Sequence, residues 1–228
     1  MPEPTQPVVS VRGEVLREVP AEIAIISVAI SGRDRDKATA TDHVVRRQSA
    51  LLAALGSFPE AVERVDSTGL SAYASYESKR RERVDMWIAN LATTVTLGGL
   101  DAAPTVLAAL ADVESATISG PRWALRPNSP VHRDARIGAV SAALQRAADY
   151  AAAVGSTVTG LLEISDSNLM SGGGMPLMAG MARNASASVG LEDLDLTPQD
   201  QQVHASVEVR VTISPPTIGL DGGGEPAA

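Results

Sequence analysis

Residues 133–168 read RDARIGAVSAALQRAADYAAAVGSTVTGLLEISDSN. Ile137, Val140, Leu144, Ala147, Ala148, Ala151 and Val154 recur at three- and four-residue steps, which predicts one helical face turned to a core, with Gln145, Arg146 and Asp149 roughly opposite. Gly155 then offers a C-terminal cap, and Thr157 to Ile164 follow as a β-rich run. The stretch therefore predicts a long helix, a stop and a strand. Its many alanines imply close packing of the helix on a sheet rather than chemistry.

Working outward toward the N-terminus, residues 1–7 carry three prolines and read as a disordered lead-in. Val8 to Arg17 and Ala21 to Ser31 read as strands separated by Pro20. In the second, Ala24, Ile26, Val28 and Ile30 alternate with Ile23, Ile25, Ser27 and Ala29, so both faces are mostly apolar and the strand is expected at the centre of its sheet. A helix is predicted from about Arg35 to Leu55, with Asp34 as N-cap, Val44, Val45, Leu51, Leu52 and Leu55 inward, and Gly56 at its end. Val62 to Tyr76 and Val84 to Leu97 predict a hairpin, the second strand placing Trp87, Ala89, Leu91, Val95 and Leu97 on one face. Its connection, ESKRRER, sets Lys79, Arg80, Arg81 and Arg83 beside Glu77 and Glu82. A mixed-charge turn of this kind is read as a solvated hairpin end, the sharper alternative being an anion-binding tip.

A short helix is expected around Ala102 to Leu110, and a strand over Ser115 to Leu125 with an interruption at Gly120 and Pro121. After the long helix and its strand, a Gly- and Met-bearing segment at about 168–200 exceeds an ordinary loop, and is expected to be mobile or used in a contact. The last strand is the clearest in the chain: Val203, Ala205, Val207, Val209, Val211 and Ile213 alternate with Gln202, His204, Ser206, Glu208, Arg210 and Thr212, one face buried and one wet. Residues 214–228 read as a disordered tail, which leaves 8–213 as the folded domain. The order is β-α-β-β-α-β from Ala21, then the long helix and two further strands. This is an α+β class, with helices packed on a mostly antiparallel sheet.

Composition limits the chemistry. Of 228 residues, 44% are hydrophobic, enough for a substantial core, but only 3% are aromatic, so base-stacking platforms are scarce. With 19 basic and 27 acidic residues the formal net charge is −8, which opposes nonspecific attraction to nucleic acid. No nucleic-acid partner is expected. Cysteine is absent, which excludes disulfides, thiolate catalysis and cysteine-ligated metals. No run approaches about 18 uninterrupted apolar residues, so no stable membrane insertion is expected. The opening MPEPTQPVVSVRG lacks a basic region followed by an apolar one. A cytoplasmic location follows for the sequence as written, and a truncated N-terminus would leave an envelope location open.

Histidine bases are limited to His43, His132 and His204, expected as solvated surface residues with no ligand-like spacing, so neither catalytic nor metal-binding residues are assigned. Glu192, Asp193 and Asp195 are read as a solvated acidic turn. SGGGMPLMAGM lacks the Lys-Ser/Thr of a phosphate loop, and a flexible stretch does not fix thioether sulfurs for copper. Met170, Met175, Met178 and Met181 are instead read as an adaptable apolar contact segment. No cofactor is expected.

Taken together, VSVRGEVLREVPAEIAIISVAI, DMWIANLATTVTL, ARIGAVSAALQRAADYAAAVGSTVTGLLEIS and VHASVEVRVTI occur in the order seen in the SIMPL-domain family, a bacterial group without an established activity, and the chain resembles it over about Val8 to Ile213. Trp87, Ala89 and Asn90 stand where that family has an aromatic followed by Ala-Asn, and Ala21 stands where an acidic residue is common, with Glu22 next to it. The resemblance implies an α+β fold, homo-oligomers and envelope- or stress-related roles in some members. The function expected is thus a non-enzymatic homo-oligomeric scaffold or interaction protein. The alternative is a small-molecule binding module or enzyme with a site between sheet and helices.

Overall fold

The computed structural model describes residues 6–76, 84–166 and 196–217. In chain order these form β1 (Val8–Val19), β2 (Ile23–Asp34), α1 (Lys37–Leu55), β3 (Val62–Tyr76), β4 (Val84–Leu97), a 3-10 turn at Leu100–Ala102, α2 (Ala103–Ala111), β5 (Ala116–Ala124), α3 (Pro130–Ala153), β6 (Val158–Asp166) and β7 (Gln201–Ile213). The α+β class and the element order are those the sequence predicts. The strands divide between two antiparallel sheets, in the orders β1-β7-β6 and β3-β4-β2-β5. Two compact units result, one built on each sheet.

In the four-stranded unit, β2 is internal, between β4 and β5. Its Ala24, Ile26, Val28 and Ile30 join Val44, Leu51 and Leu55 of α1, Val95 and Leu97 of β4, and Val106 and Leu110 of α2 in one buried apolar cluster. Each buried valine, leucine or isoleucine among them contributes about 1.5–3 kcal/mol relative to an exposed one. The opposite face of β2 is apolar and covered only at its start, where Ile23 is buried and Ile25 half-buried; Ser27 and Ala29 are exposed. Helices cover one side of this sheet, so a single apolar face suffices. In the hairpin β3–β4, Leu97 lies opposite Val62 at one end and Tyr76 opposite Val84 at the other. β5 meets β2 through a register shift between Ile25 and Ser27, opposite the region of Gly120 and Pro121.

Two details of α1 correct the sequence expectation. Its N-cap is Asp36, whose carboxylate accepts from the Thr39 backbone N–H at 2.9 Å. Asp34 instead accepts from the Asp36 backbone N–H at 2.9 Å. An Asx turn thus precedes the cap, a local competition between two aspartates that spacing alone does not resolve. The buried stripe is Ala40, Val44, Leu51 and Leu55, whereas Val45 and Leu52 are exposed. They lie one position beyond Val44 and Leu51, about 100° around the helix.

In the three-stranded unit, α3 buries Ala135, Ala139, Ala143, Ala147 and Ala151. Ala147 and Ala151 lie inward as predicted, but the rest of the predicted face does not: Ile137 is 51% exposed, Leu144 and Ala148 are also exposed, and Val140 and Val154 are half-buried. Size did not select the buried face. Gly13 of β1 did, because a Cβ built there would sit 2.7 Å from the Ala143 Cβ, so only alanines fit beside that strand. α3 begins at Pro130 behind the Ser129 cap and ends in a Schellman arrangement. There Gly155, at φ 65°, donates to the Ala152 carbonyl at 3.0 Å, and Ser156 donates to that of Ala151 at 2.9 Å.

Candidate functional site

The sheet β1-β7-β6 presents two surfaces of interest. On β7, Val203, Ala205, Val207, Val209, Val211 and Ile213 are all buried, as the alternation predicts. His204, Glu208 and Arg210 are exposed on the other face, while Ser206 is buried there. It accepts from Arg12 Nε at 2.8 Å, an arginine stem closing over a small hydroxyl.

That polar face carries a depression of about 400 Å³ bordered by Ser10, Arg12, Glu163, Ser165, Glu208 and Arg210. Arg12 Nε lies 3.0 Å from Glu14 Oε1, and Arg210 lies 3.4 Å from its register partner Glu163. These are cross-strand and neighbouring charge pairs whose side chains are about half exposed, so solvent screens them and each is worth about 0–1 kcal/mol. The depression offers cations and anions in balance, suited to a zwitterion rather than to a polyanion.

The second surface is β6. Among the described residues its only strand neighbour is β7, so it forms one edge of the sheet. Val158, Leu161 and Ile164 lie opposite Ile213, Val211 and Val209, which places them on the sheet's buried side. Nevertheless Leu161 is 54% and Ile164 48% exposed, and Leu162 and Val158 are exposed too. Leu162 falls in the register shift between Leu161 and Glu163. An edge strand rich in exposed aliphatics is a template for pairing, and isolated sheets usually protect such edges with charge, proline or a cover. By sequence this run predicts an ordinary strand behind the long helix. Its one available signal was LLEI, which is apolar without alternation.

The other candidates are scattered. His43 Nε2 lies 3.9 Å from Asp34 Oδ2 at the start of α1, His132 is half-buried in the first turn of α3, and His204 is exposed on β7. Glu22, next to the position where the resembled family is often acidic, accepts from the Arg126 backbone N–H at 2.9 Å, and the Arg126 guanidinium pairs with Glu63. That cluster ties the start of β2 to β3 and to the chain after β5. Among the described residues no three His, Asp or Glu side chains are placed to hold one metal ion. No helix among them is long and apolar enough to cross a membrane. Met170, Met175, Met178 and Met181, the acidic Glu192, Asp193 and Asp195, and the basic Lys79, Arg80, Arg81 and Arg83 all lie outside the described residues.

No curated protein matches the chain. A family model does match, over residues 9–211, nearly the whole of both units, and that family is described as SIMPL, protein of unknown function (DUF541). The chain therefore belongs to the SIMPL family.

Proposed function

We propose that the chain is a non-enzymatic, homo-oligomeric interaction protein or scaffold in which the free edge of β6 joins one copy to another. The observation that carries this is the exposure of Val158, Leu161, Leu162 and Ile164 on a strand with one described neighbour. Pairing two such edges satisfies backbone donors and acceptors and removes apolar side chains from water in one step. The methionines at 170, 175, 178 and 181 follow β6 in the sequence and belong to the same proposal as an adaptable contact. A cytoplasmic location and a stress-related role accompany it as the parts drawn from the sequence and from family resemblance.

Light scattering across a concentration series tests it, with Leu161→Lys/Ile164→Lys protein as the comparison. The small-molecule alternative finds its support in the charged depression between Arg12 and Arg210. A thermal shift with zwitterionic metabolites, lost in Arg210→Ala protein, would favour that reading instead.

A further inference from the structure

We propose that the depression on the polar face of β1-β7-β6 binds a short peptide zwitterion, a dipeptide with both ends free. The hollow has a sequence origin. Each strand sets a serine two residues from a charged side chain, and so on the same face: Ser10 and Arg12 in β1, Glu163 and Ser165 in β6, Ser206 and Glu208 in β7, with Arg210 two residues further on. Ser10 and Ser165 are too short to fill the space between their charged neighbours, which leaves about 400 Å³, within the range of small-molecule sites. The pairing of β6 with β7 puts Glu163 opposite Arg210 and Ser165 opposite Glu208. On the other side of β7, the Ile213 N–H donates to the Pro7 carbonyl at one end of β1, and Gln202 donates to Glu18 at the other. An antiparallel register with those ends brings Ser10 to Arg210 and Arg12 to Glu208.

The groups that the fold leaves unspent define the ligand. Arg12 turns its Nε to the buried Ser206 at 2.8 Å and to Glu14 at 3.0 Å, and its two terminal amino groups have no partner among the described residues. Arg210 turns to Glu163. Glu208, with Arg12 across from it and Arg210 two residues along, is therefore paired with neither among the described residues. The site offers an anchored guanidinium whose outer edge fits a carboxylate, and a carboxylate for an ammonium. Glu163 and Glu208 repel a polyanion, and the arginines repel a metal ion. Distance then sets the class. Arg12 is held at Ser206, two residues from Glu208 along β7, or about 7 Å at the usual rise of about 3.4 Å per residue. The charges of an α-amino acid are only about 3 Å apart, whereas those of an extended dipeptide span two residues, about 7 Å. A dipeptide laid along β7 reaches both groups, its ammonium at Glu208 and its carboxylate at Arg12. The site lies on the face of the sheet, away from the β6 edge, so it holds whether or not copies assemble.

The test is isothermal titration calorimetry of the full chain with alanyl-alanine, N-acetyl-alanyl-alanine, alanyl-alanine amide and alanine. Alanyl-alanine should bind saturably, and the two blocked forms and alanine about tenfold more weakly. Glu208→Gln should weaken alanyl-alanine by about tenfold and erase its advantage over the acetylated form; Arg12→Gln should erase its advantage over the amide. Circular dichroism checks that both variants fold, and the glutamate variant keeps the test valid if loss of the Arg12–Ser206 bond disturbs the sheet. Leu161→Lys/Ile164→Lys protein, which tests assembly, should bind alanyl-alanine as wild type does, so the two proposals fail separately. No saturable binding of alanyl-alanine, equal affinity for the blocked forms, or undiminished binding by the folded variants would overturn the proposal.

Discussion

Gly13 of β1 and Ala143 of α3 are in direct apposition, so close that a methyl group on the glycine would lie 2.7 Å from the alanine Cβ. Helix and strand meet here without side chains between them. The alanine stripe of α3 and the glycine of β1 form one steric unit, although the two residues are far apart in the chain.

Enlarging either partner should therefore destabilise the three-stranded unit. Gly13→Val and Ala143→Leu are each expected to cost about 1–3 kcal/mol or more through overpacking. Ile137→Ala, on the exposed side of the same helix, should change stability by no more than about 0.5 kcal/mol. Urea unfolding of the three proteins checks the ordering, and a larger loss for Ile137→Ala would contradict the assignment of the helix face.

The same contrast applies elsewhere in the core. Ile26→Ala empties a fully buried site beneath α1 and α2 and should cost about 2–5 kcal/mol, whereas Val45→Ala on the exposed side of α1 should be nearly neutral. Val207→Asp places a carboxylate on the buried face of β7 and should abolish folding. Thermal melts and solubility read out all three.

Asp36 sets a pH dependence. The Thr39 backbone N–H, then its hydroxyl, hold the Asp36 carboxyl below its ordinary value of 3.8. The folded-state value is thus below the unfolded one, so the stabilisation is complete above 3.8 and fades as pH falls through the folded-state value. Asp36→Ala should lower the melting temperature at neutral pH, and its difference from wild type should shrink on acidification below 3.8. Asp34→Ala should show a smaller effect at neutral pH; the reverse order would return the cap to Asp34.

Much of the fold is legible in the sequence because periodicity is strong where one face is buried. The alternation in Val203 to Ile213 gave β7, and the hairpin ends at Tyr76 and Val84 coincide with the β-rich runs. Less legible was which helical face turns inward. Leucine and isoleucine spacing pointed to Ile137 and Leu144, but the approach to Gly13 admits only alanine, a constraint set by a residue distant in the chain. For the same reason the division into two sheets was hidden: strand neighbours such as β1 and β7 lie at opposite ends of the sequence. The exposed edge of β6 leaves only the non-alternating LLEI as a trace in the sequence, since such a stretch looks the same whether its neighbours cover it or not.

The mass of the protein in solution tests the central proposal most directly. Light scattering should return a defined multiple of 23.6 kDa for wild type, falling to the single-chain value in Leu161→Lys/Ile164→Lys protein with unchanged circular dichroism. A wild-type mass of one chain at every concentration, or an oligomer indifferent to both lysines, would contradict assembly through the β6 edge.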